Sequence, residues 1–313
     1  MKRFAFSFLI MTLPLLTWAD KSGTTGDCQW IFTTSDSKLT ISGKGVMEDY
    51  YFMHYSPWDS YANSIIKGEI REGVTNIGSY TFRNCTNLSE VKIANSVETI
   101  GKMAFYNCPS LQSIVIPEGV SYIDYRTFRN CTSLSTVYLP GSLTSMNDDA
   151  FGNCPLATVY CSATTVPTVE GESSNNFNSL SENSTLYVPA SAIEDYKDTA
   201  PWNNFANIVA MPKCATPTIT YENGKLSYTC DTEGVTFITH IAPSDGGMFA
   251  TSEVSLSLAY TVSVYASKMG YENSDAATMT IQLSNAAIRG DVNGDGKVNI
   301  TDATEVVGII LNP

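Results

Sequence analysis

The stretch VTNIGSYTFRNCTNLSEVKIANS (74–96) is followed by two copies of its own pattern, VETIGKMAFYNCPSLQSIVIPEG (97–119) and VSYIDYRTFRNCTSLSTVYLPGS (120–142). A fourth copy, LTSMNDDAFGNCPLATVYCSAT, begins at residue 143 and has lost one residue. Each copy carries a cysteine, and a phenylalanine stands three positions before every one of these cysteines. Such a strict internal period is typical of a solenoid of stacked coils.

Apolar residues within one coil change their spacing from the first half to the second. Val74 and Ile77 are three residues apart, as on a helix, whereas Val91 and Ile93 are two apart, as on a strand. A single coil cannot bury these side chains, but stacked neighbours join them into one core. The sequence therefore predicts a parallel ladder of short strands on one side and short helical turns on the other.

The pattern F-x-x-C-x-x-L-x-x-V-x-I resembles the BspA-type surface leucine-rich repeats of bacteria. Upstream, LTISGKGVMEDY resembles the β cap of that family, which assigns residues 20–64 to an N-terminal cap and 65–211 to the repeats and a closing coil. The fragments SPWDSYAN (56–63) and APWNNFAN (200–207) resemble each other and suggest one cap geometry at both ends. The resemblance implies non-catalytic adhesion to an extracellular protein or glycan.

The N-terminus has the features of a secretory signal over residues 1–19. Lys2 and Arg3 precede an apolar run, and cleavage is expected after Ala19. The run is too short for a permanent membrane helix, and no later run approaches its length, so we expect a secreted or cell-surface protein without a transmembrane segment. The net charge of −13 excludes nucleic acid as a natural partner, because the surface repels phosphates.

Five short runs of alternating polarity lie within residues 212–285, separated by turn residues. They predict an antiparallel β sandwich and resemble the immunoglobulin-like modules of secreted bacterial proteins. The whole chain is thus expected to be mainly β. Cys214 and Cys230 fall on neighbouring predicted strands and are the best candidates for a disulfide in a secreted chain.

The segment GDVNGDGKVNITD (290–302) spaces oxygen-bearing side chains as in a calcium loop, with glycine at the sharpest turn. With the following helix, residues 286–313 resemble half of a type I dockerin, a calcium module that docks onto a cohesin. The resemblance implies calcium ligation by the side chains of Asp291, Asn293, Asp295 and Asp302, by the backbone carbonyl of Lys297, and by Asn299 directly or through water.

Dockerins carry two such loops in tandem, and only one is present here. Two functions therefore remain open. In the first, the solenoid binds an extracellular ligand and the tail is a calcium-ordered end. In the alternative, the protein is a component of an extracellular carbohydrate-processing assembly, and the tail binds a cohesin-like partner.

Two rows of side chains are candidates for ligand contact. If Val91 and Ile93 point inward, the residue between them points outward, and the equivalent outward row is Lys92, Val115, Tyr138 and Tyr160. Beside the phenylalanines, Arg83, Tyr106 and Arg129 form a second row. Tyrosine and arginine are favoured at interface hot spots. His54 and His240 are the only histidines and stand in no catalytic motif, so no enzyme is predicted.

Overall fold

A computed structural model describes residues 20–171, 175–222, 224–243 and 258–283. The chain divides into two compact units, Met1–Ala210 and Met211–Pro313. The predicted signal peptide and the predicted calcium loop lie outside the described residues, and both stay predictions. Among the described residues no helix has the length and apolarity needed to cross a membrane.

The first unit is built almost entirely from short strands. Its strands are β1 (Lys21–Thr25), β2 (Cys28–Thr33), β3 (Lys38–Gly43), β4 (Lys67–Ile70), β5 (Asn76–Ile77), β6 (Glu90–Ile93), β7 (Thr99–Ile100), β8 (Ser113–Val115), β9 (Tyr122–Ile123), β10 (Thr136–Leu139), β11 (Ser145–Asn147), β12 (Thr158–Cys161), β13 (Thr168–Glu170), β14 (Thr185–Val188) and β15 (Asn207–Ala210). Over residues 20–171 and 175–210, its helical segments are one α-helix, α1 (Ile193–Asp198), and three 3-10 turns at Asp59–Ser64, Ala190–Ala192 and Trp202–Asn204.

Three sheets run along this unit. The cap sheet has the order β1-β2-β3-β4-β6, in which β1, β2 and β3 pair antiparallel and β4 and β6 continue it in parallel. A second sheet, entirely parallel, has the order β8-β10-β12-β14-β15. The third, also parallel, has the order β5-β7-β9-β11-β13. The strand ladder predicted from the alternating half of each coil is therefore present.

The third sheet departs from the prediction of short helical turns. The three-residue spacing of Val74 and Ile77 belongs to a corner and a two-residue strand, β5. At the equivalent corners the N–H groups of Val74, Val97 and Val120 donate to carbonyls three residues earlier, at 3.3, 3.2 and 3.0 Å. A solenoid corner can thus space apolar residues as a helical turn does, because both contain hydrogen bonds that join residues three apart.

The core of the solenoid is a column of identical residues. Phe82, Phe105, Phe128 and Phe151 are fully buried and stack with ring centroids 5.1, 5.2 and 5.2 Å apart and planes within 8° of parallel. Aromatic pairs of this kind contribute about 0.5–1.5 kcal/mol each beyond their buried area. The phenylalanine period in the sequence therefore reflects one continuous stack through four coils.

A buried tryptophan lies near each end of this stack. The indole N–H of Trp58 donates to the carbonyl of Thr81 at 2.8 Å, and that of Trp202 donates to the carbonyl of Pro167 at 2.9 Å. Both indoles are completely buried. The similarity of the two tryptophan fragments thus corresponds to one device, an indole that seals the core while its polar group stays satisfied.

The described part of the second unit contains five strands: β16 (Thr218–Glu222), β17 (Lys225–Thr229), β18 (Thr236–Pro243), β19 (Leu258–Ser267) and β20 (Ala277–Leu283). They form two antiparallel sheets, β16-β17 and β18-β19-β20. All five predicted strands are present, while the immunoglobulin-like assignment stays a prediction. The predicted disulfide is absent, since Cys214 and Cys230 are free thiols and the Cys230 Sγ donates to the Ala215 carbonyl at 3.1 Å.

Candidate functional site

The parallel register of the second sheet brings one outward row of side chains into line. Val115 lies beside Tyr138, and Tyr138 lies beside Tyr160. The structure extends the row by two residues, because Tyr187 of β14 pairs with Tyr160 and Val209 of β15 pairs with Tyr187. These five residues, Val115, Tyr138, Tyr160, Tyr187 and Val209, are called the tyrosine stripe below.

The three rings of the stripe stack on one another. The Tyr138 and Tyr160 centroids are 4.8 Å apart with planes 3° from parallel, and the Tyr160 and Tyr187 centroids are 4.7 Å apart at 14°. Neighbouring strands are separated by about 4.7–4.9 Å, so the backbone ladder itself sets the ring spacing. The stack covers the ring faces that meet, and all three tyrosines are half-buried on the outward side of their strands.

Alternation along each strand holds these rings outward. In β10, Val137 and Leu139 are buried on either side of Tyr138, and in β12, Val159 and Cys161 flank Tyr160 in the same way. The flanking side chains belong to the solenoid core, so a shift in register would bury the tyrosines and expose the core. The position of the stripe is therefore set by the packing beneath it.

Lys92 does not join the tyrosines in one sheet. It lies on β6, at the end of the cap sheet, where it pairs with Glu69 of β4. Glu69 contacts Lys38 at 3.4 Å and Arg71 at 3.5 Å. Burial raises the pKa of Glu69, but these two cations outweigh it and leave the pKa below its ordinary value. The predicted row is therefore divided between two sheets. Lys92 lies on the cap sheet, whereas Val115, Tyr138 and Tyr160 lie on the second sheet.

The residues of the second predicted row, Arg83, Tyr106 and Arg129, make different kinds of contact. Arg129, together with Arg126, forms an ion pair with the buried carboxylate of Asp149, and the Arg126 Nε lies 2.9 Å from that carboxylate. The Tyr106 hydroxyl accepts a hydrogen bond from the amide of Asn130 at 3.4 Å. Arg129 is thus engaged in a contact between neighbouring coils, while Arg83 lies over a ring face, as described below.

The repeated cysteines are tied into the fold. The thiols of Cys108, Cys131 and Cys154 donate to the carbonyls of Phe82, Phe105 and Phe128 at 3.0, 3.2 and 3.0 Å. Burial raises the pKa of all three thiols above the ordinary value. A thiol that holds its proton is a poor nucleophile and metal ligand. The role of these three thiols is structural, since each hydrogen bond links its coil to the preceding coil.

The two histidines differ in their contacts. The His54 Nε2 lies 3.0 Å from a carboxylate oxygen of Glu48 near the surface, while His240 is exposed on β18. Within the described ranges no group of three or more His, Cys, Asp or Glu side chains is placed to hold a metal ion. The six predicted calcium ligands lie outside those ranges.

Two stacked parallel ladders, a column of buried phenylalanines and an open sheet face define a leucine-rich-repeat type of solenoid. Residues 60–181 match, in six copies, the family described as "BspA type Leucine rich repeat region". The resemblance recognised in the sequence is confirmed for this segment. The six copies exceed the four coils counted from the sequence, because that count required both phenylalanine and cysteine in every coil.

Several solved structures of leucine-rich repeat proteins are similar to the chain. A leucine-rich repeat protein from Eubacterium ventriosum has 16% identity and a TM-score of 0.37, with 61% of this chain and 68% of that chain covered. A leucine-rich repeat protein from T. pallidum has 24% identity and a TM-score of 0.33, with coverages of 45% and 71%. A leucine-rich cell surface protein from Faecalibacterium prausnitzii has 24% identity and a TM-score of 0.32, with 54% of each chain covered. No curated protein sequence matches this chain.

Proposed function

We propose that this protein is a secreted or cell-surface binding protein whose tyrosine stripe recognises an extracellular protein. The observation that carries this proposal is the stack of three half-buried tyrosines on the outward face of a parallel sheet. Tyrosine is enriched at binding hot spots because it adds a large contact area with little side-chain entropy. The BspA-type repeat region supports a binding or adhesion role, and the predicted signal peptide supports secretion.

Glycan and protein ligands contact tyrosine side chains in different ways. A sugar ring packs flat against an aromatic face, whereas a protein side chain can also fill the space along ring edges and bond to phenolic hydroxyls. In the stripe, Tyr160 has a ring on both sides, at 4.8 and 4.7 Å. Its faces are covered, so the stripe favours a protein ligand.

The two ends of the stripe add apolar contact area. Val115 and Val209 are 39% and 38% exposed, and they extend the aromatic row without adding charge. An interface core is depleted in charged residues and enriched in aromatic ones, as this row is. The preferred partner therefore presents an apolar or aromatic segment long enough to cross several strands.

The proposal is tested by panning a displayed library of short random peptides on the mature chain. Selected peptides are then measured against the variant Tyr138→Ala/Tyr160→Ala/Tyr187→Ala and against Tyr51→Ala/Tyr55→Ala, a control that removes exposed tyrosines from the cap. We expect the stripe variant to lose the peptides and the cap variant to retain them. Peptides that bind the stripe variant as tightly as the wild type would refute the proposal.

Calcium binding at residues 291–302 is a separate proposal that rests on the ligand spacing alone. Titration of the chain with Ca²⁺, compared with the Asp291→Ala/Asp295→Ala variant, tests whether the loop holds the ion. The cohesin-docking alternative predicts in addition that binding of the cohesin-like partner is lost when residues 286–313 are deleted or when a chelator removes calcium. Binding through the solenoid survives both treatments.

A further inference from the structure

The three most exposed large apolar side chains in the described part of the first unit, Tyr51, Phe52 and Met53, lie at one turn of the cap. Met53 is 80% exposed and Phe52 is 68% exposed, and at least half of the surface of Tyr51 and of Tyr55 is exposed. Outside residues 46–55, no large apolar side chain of residues 20–171 and 175–210 is more than 42% exposed. Tyr51, Phe52, Met53 and Tyr55 are called the apolar turn below. Adjacent exposed apolar residues of this kind mark an interaction surface.

The tip of the apolar turn is held in a strained backbone conformation. The Tyr51 N–H donates to the His54 carbonyl at 3.0 Å, and the His54 N–H donates to the Tyr51 carbonyl at 2.9 Å. The two residues between them, Phe52 and Met53, form the tip. Met53 has φ 79°, in the left-handed region that favours glycine and asparagine. A large apolar residue thus stands where glycine would fold more easily, and such local strain is concentrated at functional sites.

Both ends of the turn are anchored in the fold. The Tyr50 N–H donates to the Ser79 carbonyl at 3.0 Å, and the Tyr50 hydroxyl lies 2.6 Å from the Thr25 hydroxyl. The buried rings of Tyr50 and Trp58, which precede and follow the turn, are in edge contact with centroids 5.7 Å apart. Because both ends are fixed, a contact at the tip has little additional backbone to order.

The sequence of the turn carries no permanent charge. Residues 50–58, YYFMHYSPW, contain no Asp, Glu, Lys or Arg, although these types make up 16% of the chain. His54 closes the turn behind the tip, where its Nε2 lies 3.0 Å from a carboxylate oxygen of Glu48. The tip can therefore leave water without the cost of desolvating an ion.

Charged side chains lie beside the turn instead of at its tip. Asp59 and Arg83 line a small hollow between the cap and the first coil, together with the two tyrosines of the apolar turn. The Arg83 guanidinium lies 5.7 Å from the centre of the Tyr80 ring. Phe52 and Met53 take no part in lining this hollow. Polarity therefore rises in order from the tip, through the tyrosines, to the charged groups.

This order matches the depth profile of a lipid bilayer surface. Apolar side chains enter the acyl region, tyrosine rings lie at the headgroup level, and charged groups stay in water. A protein pocket would require a matching shape, whereas a bilayer requires only the right order of polarity. Because the chain carries a net charge of −13, the bilayer it suits is zwitterionic and not anionic.

We propose that the apolar turn anchors the protein to the surface of a zwitterionic lipid bilayer. Phe52 and Met53 enter the outer part of the acyl region, and Tyr51 and Tyr55 lie at the headgroup level. Two inserted side chains give weak and reversible attachment, at most comparable to that of one lipid chain. The attachment is peripheral and does not involve the tyrosine stripe.

The test is flotation of residues 20–313, without the predicted signal peptide, with vesicles of phosphatidylcholine. We expect the wild type to float with these vesicles and to bind less to vesicles that contain an equal share of phosphatidylglycerol. Phe52→Ser/Met53→Asn should reduce the binding by about tenfold or more, because it removes the two side chains that enter the bilayer. Asparagine accepts the positive φ at this position, so circular dichroism and the thermal midpoint should show an intact fold.

Two control variants separate the apolar turn from other surfaces. Ile31→Ser/Ile66→Ser removes two exposed apolar side chains of the first unit outside the turn, and it should keep the wild-type binding. The triple stripe variant should keep it too, so this inference and the proposed function fail independently.

The inference is overturned if the wild type does not float with phosphatidylcholine vesicles, or if the turn variant floats equally well. Sedimentation velocity identifies the alternative occupant, a second copy of the chain. Dimers formed by the wild type and not by the turn variant, without vesicle binding, would assign the turn to a contact between copies and overturn the lipid inference.

Discussion

The two sides of the solenoid differ in how their residues vary from coil to coil. The side with the buried phenylalanine column is called the phenylalanine side, and the side with the tyrosine stripe is called the tyrosine side. On the former, four successive coils carry the same residues, Phe, Asn and Cys, at the same three places. On the latter, the outward position changes from Val115 to Tyr138 to Tyr160 to Tyr187 to Val209. Identity from coil to coil marks what stacking requires, and variation marks positions that the packing leaves free to change.

The repetition of Phe, Asn and Cys on the phenylalanine side has physical causes. Each phenylalanine must match the rings of the neighbouring coils, and the thiols of Cys108, Cys131 and Cys154 must reach the phenylalanine carbonyl of the preceding coil. Between them stand Asn84, Asn107, Asn130 and Asn153, all with φ between 59° and 64°. Asparagine is among the few side chains that tolerate this left-handed backbone. No comparable constraint acts on the outward positions of the strands.

The largest effect is expected at the centre of the phenylalanine column. Phe105→Ala removes a fully buried ring that stacks on two others, and it should lower the free energy of unfolding by about 3–5 kcal/mol. Urea denaturation measures this loss, with Tyr160→Ala on the other side as the matched control. Equal losses of unfolding free energy for the two variants would show that the tyrosine side contributes as much to stability as the phenylalanine side.

Alkaline pH should weaken the solenoid through its buried thiols. Burial raises the pKa of the Cys131 thiol well above 9.0, so the folded chain keeps a proton that the unfolded chain releases above that pH. The stabilising contribution is complete below pH 9 and falls as the pH rises, by up to about 1.4 kcal/mol per pH unit for each such thiol.

The test of that pH dependence compares urea midpoints at pH 8 and pH 10 under reducing conditions. Cys131→Ala should flatten the decline by about the share of one thiol. A decline as steep as that of the wild type would show that Cys131 ionises normally in the folded chain.

A smaller effect is expected at the asparagine row. Asn107 has φ 59° and its amide donates to the Asn84 side chain at 2.9 Å. Asn107→Ala should lower the free energy of unfolding by about 1–2 kcal/mol, because alanine disfavours this backbone. Asn107→Gly should lower it less, since glycine accepts a positive φ. A glycine variant less stable than the alanine variant would contradict the backbone explanation.

The smallest change in stability is expected at the end of the tyrosine stack. Tyr187 has one ring neighbour in the stripe and is half-buried, so Tyr187→Ala should reduce the free energy of unfolding by about 1 kcal/mol. Thermal denaturation followed by circular dichroism measures it. A loss as large as that of Phe105→Ala would assign the stripe a structural role.

The sequence allows the repeat, the strand ladder and the outward row to be predicted, because period and alternation are local patterns. The repeat pattern does not predict Tyr187 and Val209, since the coils that hold them lack the phenylalanine–cysteine pair. The sequence predicts helical turns in place of the third sheet, because the apolar spacing at a tight corner is the same as in a helical turn.

The central claim is that binding belongs to the tyrosine side while stability belongs to the phenylalanine side. Its most direct test is the affinity of a panned peptide for the wild type and for Tyr138→Ala/Tyr160→Ala/Tyr187→Ala, measured at a temperature where both remain folded. The claim predicts a loss of about thirtyfold or more, the size typical of a hot spot. An unchanged affinity in the folded variant would contradict it.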